Sequence, residues 1–263
     1  MIEPDRSELL SVATAAAEKA SKVHNDLAEK GFSVAPKGSS RDRVTDADYQ
    51  AEETIVAAIR SRFPDHNIVA EENSYEKTAS DYCWYIDPLD GTVNYSRGLP
   101  YFSVSIAVAL RGELLAAVVR DSSTAETFAA VKEGGAFRNN SRIWTSRIED
   151  YIDAILISGF FYQDSKSTDE NLRTIGRLFE KRVISVRRLG SAALDMCQVA
   201  CGRVEAYWQS RLNVWDFAAG KLILEEAGGR VSDSAGQPVP LSAGYIVASN
   251  GAFHDKLLAV INE

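Results

Sequence analysis

The sequence predicts a mixed α/β protein, built as a layered sandwich of helices and sheets. Three observations carry this. Two amphipathic helical patterns open the chain and lead into closely spaced strand patterns, the order expected of helices packed on an antiparallel sheet. From Ala154 onward, strands and helices alternate. No repeat, low-complexity tract or long linker divides the chain, so a first half (about 1–150) and a second (about 151–263) read as one domain with a continuous core.

Each element has a local cause. Ser7 to Lys30 carries Leu9, Val12, Ala13, Ala16, Ala17, Ala20, Val23 and Leu27 at helical spacing, and Gly31 closes it. Phe32 to Arg43, with Pro36, Gly38, Ser39 and Ser40, reads as a loop or loose hairpin. Thr45 to Phe63 is a second helix, capped by Thr45 or Asp46 and stopped before Pro64. Asn67 to Ala70 is a short strand entering Glu71-Glu72, and Asn73 to Asp81 is a polar connection. Cys83 to Ile86 is a buried strand expected to end on Asp87, because Pro88 has no N–H for a ladder. Phe102 to Leu110 and Glu113 to Arg120 form a hairpin across Arg111-Gly112, and Glu126 to Val131 extends the sheet. In the second half, strands are expected at Ala154 to Gly159, Ile184 to Arg187, Arg203 to Trp208 and Tyr245 to Ser249. Helices are expected at Thr168 to Lys181, Gly190 to Cys201, Val214 to Ala227 and Ala252 to Ile261.

Composition narrows the function. No segment reaches the roughly 18 apolar residues of a membrane span, and Met1 to Glu8 lacks a signal-peptide pattern, so a cytoplasmic protein without membrane contact is expected. A net charge of −8 disfavours nucleic acid as a partner. Cys83, Cys197 and Cys201 are odd in number, and the last two fall on an apolar helix face, as core residues do. His24, His66 and His254 lie outside any motif pairing them with Ser or Cys, which argues against a histidine base or a covalent phospho-histidine.

The chemistry concentrates in Trp84-Tyr85-Ile86-Asp87-Pro88-Leu89-Asp90-Gly91-Thr92-Val93-Asn94. Asp87 and Asp90, held close by proline and glycine, make a turn of crowded negative charge that a hard divalent cation would relieve. Glu71-Glu72 alone would read as a solvated loop, Asp48 as helix-dipole compensation, and Asp216 as a helix-start acid.

Together these segments form an ordered set. Thr45-Asp46-Ala47-Asp48 is followed by Glu71-Glu72, then Asp87-Pro88-Leu89-Asp90-Gly91-Thr92, then Gly190-Ser191-Ala192-Ala193, then Trp215-Asp216-Phe217-Ala218-Ala219-Gly220. The set resembles the inositol monophosphatase family of Mg²⁺-dependent, lithium-sensitive sugar phosphatases. The resemblance implies an αβαβα sandwich like that of inositol monophosphatase and fructose-1,6-bisphosphatase, and a homodimer. It implies one Mg²⁺ on Glu71, Asp87, the Leu89 carbonyl and the Thr92 hydroxyl, a second on Asp87, Asp90 and Asp216, and a third, weaker ion near Glu71. Catalysis would fall to Asp48, Glu71 and Thr92, which activate a water for in-line attack on phosphorus. Substrate contacts would fall to Asp90, Gly91, Thr92, Gly190, Ser191, Ala192, Gln209 and Asp216. The expected reaction is hydrolysis of inositol 1-phosphate or a related small phosphate.

Two departures bear on specificity. Gln209 stands where the family often has a glutamate for ring hydroxyls, and Arg211 lies two residues on. Arg43, Arg187, Arg188 and Arg211 either favour a second anionic group on the substrate or are surface arginines. Lys37 matches a family lysine on a mobile loop. Fructose 1,6-bisphosphate, NADP(H), 3′-phosphoadenosine phosphates and histidinol phosphate therefore stay open as substrates. A non-catalytic protein retaining the fold is the reading from another class. Tyr151 to Ile157 and Phe160 to Tyr162 offer apolar segments for an interface.

Overall fold

The computed structural model describes residues 5–37, 39–160 and 164–263, with the side chains of 37 and 39–42 excluded. The predicted side-chain role of Lys37, and the Phe161 and Tyr162 part of the suggested interface, therefore lie outside the described residues. Five layers alternate. The outermost is α1 (Arg6–Lys30) with α2 (Asp46–Arg62). Beneath it lies a seven-stranded sheet in order, β3 to β9. Its strands are β3 (Asn67–Ala70), β4 (Tyr82–Asp90), β5 (Ser103–Leu110), β6 (Glu113–Asp121), β7 (Thr127–Val131), β8 (Gly135–Arg138) and β9 (Ser141–Arg142). All neighbours are antiparallel except β3 and β4.

The middle layer is α5 (Ala192–Ala200) and α6 (Val214–Glu226). A five-stranded sheet follows in the order β11-β10-β12-β14-β13, from β10 (Ile155–Ser158), β11 (Ser185–Arg187), β12 (Ala206–Leu212), β13 (Arg230–Ser232) and β14 (Gly244–Ser249). Helices α4 (Ser165–Glu180) and α7 (His254–Ile261) cover its far face. Near the start of the chain, β1 (Val34–Lys37) and β2 (Ser39–Thr45) pair antiparallel, as the hairpin alternative expected there.

The period of two along a strand divides the core between layers. On β5, Ile106 and Val108 pack toward α1 and α2, while Ala107 and Ala109 join the cluster around α5 and α6. On β12, Tyr207 belongs to that same middle cluster, and Trp208 faces the outer layer with Leu178 and Leu257. The small side chains Ala107, Ala117, Ala130, Ala193, Ala218 and Ala219 let both sheets approach the shared helices. Among the described residues, no helix is long and apolar enough to cross a membrane.

Several expectations need correcting. β4 does not stop at Asp87. It continues to Asp90, and the register to β5 slips between Asp87 and Asp90 (Asp87 opposite Ser105, Asp90 opposite Ser103). Pro88 falls inside that irregularity, where no ladder donor is needed. β12 runs to Leu212 rather than stopping at Trp208, and β13 was not expected. Gly190 and Ser191 precede α5 rather than belonging to it. Within Tyr151 to Ile157, only Ile152 is a large exposed apolar residue; Ala154, Leu156 and Ile157 are buried in the core, so the segment is mainly structural.

Candidate active site

Strand ends and helix starts converge at one edge of the layered stack. β3 delivers Glu71 just past its end, and the Glu71 N–H donates to the Ile86 carbonyl on β4 (3.2 Å). β4 delivers Asp87 and Asp90, and α6 delivers Asp216 in its first turn. Carboxylate oxygens of Glu71, Asp87 and Asp216 all lie within 4.8 Å of one another. Asp87 is 2% exposed, and burial followed by the charge of Glu71 pushes its carboxyl well above the usual range. Three carboxylates this close, with no side-chain nitrogen or sulfur among them, form a donor set that fits a hard divalent cation.

Asp48, Asp90 and Asp216 share one device: each gives an oxygen to the start of a helix. Asp48 Oδ2 accepts from the Thr45 N–H (2.7 Å) and hydroxyl (2.6 Å), forming the capping box of α2. Asp216 Oδ2 accepts from the Asn213 N–H (2.7 Å) in the capping box of α6. Asp90 Oδ2 accepts from the Ala193 N–H (2.8 Å) in the first turn of α5 and from the hydroxyl of its N-cap, Ser191 (2.6 Å). Burial pushes Asp48 and Asp90 up to about 6, against the pull of these donors.

Thr92 links the groups. Its hydroxyl is 3.0 Å from Asp48 Oδ1 and 3.0 Å from the Leu89 carbonyl, and its single proton serves one acceptor at a time. Thr92 opens the short helix α3 (Thr92–Ser96) behind Gly91, which has φ 97°. A Cβ there would meet the carbonyl oxygens of Tyr101 at 3.1 Å and Gly190 at 3.2 Å, so the turn requires glycine. Asn94 ties this turn to the second half by donating to the carbonyls of Tyr101 and Leu189 (2.8 Å each).

A cleft of about 170 Å³ adjoins the acidic cluster, and Asp90 and Asp216 line it together with Gly190, Ser191, Ala192 and Gln209. Six of the eight substrate residues expected from the sequence thus share this cleft, and Gly91 and Thr92 are not part of its lining. Arg188 also lines the cleft. Arg211 does not: its guanidinium pairs with Asp164 (2.8 Å) at the N-cap of α4. Arg187 is exposed on β11, and Arg43 lies on β2.

Sequence reasoning missed two organising acids. Glu52 is fully buried and accepts from the N–H groups of Glu72 (2.9 Å) and Asn73 (3.0 Å) and from the Tyr75 hydroxyl (2.8 Å), so it shapes the segment that follows Glu71. Its signal was its place on α2, one turn after Asp48 on the face that buries Ala51 and Ile55. Asp195, 2% exposed on α5, accepts from the Tyr101 hydroxyl (2.9 Å) and lines the cleft.

Comparison with known proteins gives a consistent result. The profile described as "Inositol monophosphatase family" matches residues 5–263. A relative from Arabidopsis thaliana named "Phosphatase IMPL1, chloroplastic" is 39% identical over 259 residues, covering 96% of this chain and 69% of that protein. A Vibrio cholerae protein named "Nus factor SuhB" is 41% identical over 246 residues, covering 92% and 91%. The solved structure of inositol monophosphatase from Anabaena (Nostoc) sp. PCC 7120 superposes with a TM-score of 0.85 at 35% identity, covering 97% of this chain and 95% of that one.

Proposed function

The chain belongs to the inositol monophosphatase family, and from that premise we propose that it is a Mg²⁺-dependent phosphomonoesterase acting on inositol 1-phosphate or a related small sugar or polyol phosphate. Membership itself supports a phosphatase acting on phosphorylated small molecules. The observation that carries the finer reading is the meeting of Glu71, Asp87 and Asp216 within 4.8 Å, from separate parts of the chain.

Glu71, Asp87, the Leu89 carbonyl and Thr92 would hold one ion, and Asp87, Asp90 and Asp216 a second; a third would lie near Glu71. When bound, Mg²⁺ polarises phosphoryl oxygens and acidifies water. The chain's own residues supply the rest. Thr92 Oγ1 passes its proton to Asp48 Oδ1, 3.0 Å away, while taking one from the attacking water. Glu71 orients that water. The N–H groups of Gly91 and Thr92, at the start of α3, donate to the phosphoryl group. Gly190, Ser191, Ala192 and Gln209 hold the alcohol side of the ester in the cleft. No covalent phospho-enzyme forms. The protein acts in the cytoplasm as a homodimer, which light scattering would test.

The experiment is phosphate release from a panel of phosphomonoesters with and without Mg²⁺, in wild type and Asp90→Asn. Turnover that needs Mg²⁺, falls by about 10²–10³-fold in the variant and is inhibited by Li⁺ is expected. Full turnover in Asp90→Asn would refute the ligand assignment. The relative named a Nus factor suggests a second role. A role of that kind would survive Asp90→Asn, which separates the two.

A further inference from the structure

We infer that His24 is a positioning residue for the acidic centre: from α1 it holds the Asp87–Asp90 bend of β4 and the start of α3 in the arrangement that receives a divalent cation. The inference rests on the acidic cluster being the metal centre of a phosphatase. α1 itself supplies none of the candidate ligands.

His24 is fully buried, and its polar groups are directed at this region. Its carbonyl accepts from the Tyr95 hydroxyl (2.8 Å), which ties α1 to α3, the helix that Thr92 opens. Its ring packs near Tyr95 and Phe102, with centroids 5.8 and 6.0 Å away, and those two rings belong to the cluster that buries Leu89. Nδ1 stands 2.9 Å from the Ser122 hydroxyl. Nε2 is buried without a full hydrogen bond to any described residue, and the Pro88 carbonyl is the backbone acceptor it faces. Burial keeps the ring neutral, pushing its pKa down to about 3, so one nitrogen carries a proton and the other a lone pair. A bare Nε2 would set its lone pair against the carbonyl oxygen of Pro88. The arrangement therefore requires Ser122 to donate to Nδ1 and Nε2–H to point at Pro88. Pro88 sits in the register slip between Asp87 and Asp90, where pairing with β5 lapses. A buried donor aimed there supports the bend at the place where the ladder does not. Repulsion among Glu71, Asp87 and Asp216 opposes their approach without a cation, so a support that holds the bend in advance lowers the cost of binding one.

The test measures Ca²⁺ binding by calorimetry, and the Mg²⁺ concentration for half-maximal phosphate release, in wild type, His24→Phe, His24→Gln and Ser122→Ala. Phenylalanine keeps the aromatic packing and removes both nitrogens. Glutamine returns an amide N–H near the place of Nε2. Ser122→Ala leaves the ring in position and frees its tautomer. His24→Phe should weaken both readouts about three- to tenfold, as the loss of one hydrogen bond of ordinary net strength would. Ser122→Ala should weaken them in the same direction by less, and His24→Gln should bind Ca²⁺ more tightly than His24→Phe. In ¹⁵N NMR of wild type, Nε2 of His24 should carry the proton, and its signal should move when Ca²⁺ is added, which a residue that only fills space would not show. A proton on Nδ1, Ca²⁺ affinities in His24→Phe and Ser122→Ala equal to wild type, or glutamine no better than phenylalanine would overturn the inference and leave the phosphatase reading intact. If His24→Phe does not fold, Ser122→Ala and the NMR signal decide. Absence of turnover on every phosphomonoester sinks the phosphatase reading alone, since Ca²⁺ binding still judges His24.

Discussion

Replacing Asp87 by asparagine should make the metal-free protein more stable and the metal-loaded protein less so. Asp87 is buried, and its oxygens lie within 4.8 Å of those of Glu71 and Asp216. Two full charges at that separation repel by about 3.5 kcal/mol at an effective dielectric constant of about 20. Asparagine removes that repulsion, keeps the volume, and keeps an Oδ1 to accept from the Leu89 N–H (3.0 Å). Its NH₂ can donate to the remaining carboxylates. The pH dependence has a definite sign. The folded-state affinity of Asp87 for its proton is raised, so the wild-type contribution is complete below the ordinary value of 3.8 and is lost as pH rises through the folded value. The variant's advantage should therefore be small near pH 4 and grow toward pH 8. Thermal unfolding in EDTA at pH 8 should show Asp87→Asn melting about 7–14 °C above wild type, at about 2–4 °C per kcal/mol for a chain of this size. Saturating Mg²⁺ should then raise the wild-type Tm and leave the variant's nearly still. A variant less stable than wild type in EDTA at pH 8, or an equal Mg²⁺ shift in both proteins, would refute the reasoning.

Three further outcomes follow from the geometry. Glu52→Ala strips the acceptor from the Glu72 and Asn73 N–H groups and should cost about 3 kcal/mol in urea unfolding while raising the Mg²⁺ concentration needed for half-maximal activity; a loss below about 1 kcal/mol would contradict this. Gly91→Ala forces a Cβ against two carbonyl oxygens at positive φ, so about 1–3 kcal/mol of stability should disappear together with most of kcat/KM. Thr92→Val keeps the shape but removes the hydroxyl between Asp48 and Leu89. Its kcat should fall about 10²-fold with little change in Tm, and an unchanged kcat would remove Thr92 from the proton path.

Much of the layered architecture was legible because its helices and strands announce themselves by period. α1 and α2 carry apolar stripes, and β5 and β6 are apolar runs joined across Arg111-Gly112. The acids were legible as an ordered set of motifs, since no single one of them departs from what a helix start or loop commonly holds. The path of β4 past Pro88 was not legible, because a proline penalty disappears inside a register slip that only the partner strand defines. Glu52 was hidden for a related reason. Its partners, Glu72, Asn73 and Tyr75, lie in a polar segment whose route no local pattern records. Among four arginines of equal appearance, only tertiary structure separates Arg188 at the cleft from Arg211 paired with Asp164.

The capping contacts of Asp48, Asp90 and Asp216 have a wider consequence. The positions of these three acids are fixed by the same bonds that begin three helices, so they cannot drift without unravelling those helices. The proposed ligand contacts Gln209 and Gly190 sit instead on the central strand β12 and on the segment between β11 and α5, which begin no helix except through Ser191. Such a division of labour leaves selectivity open to revision by one or two replacements while the hydrolytic engine stays put. A laboratory search for new substrates should therefore randomise position 209 and leave every helix-starting aspartate alone.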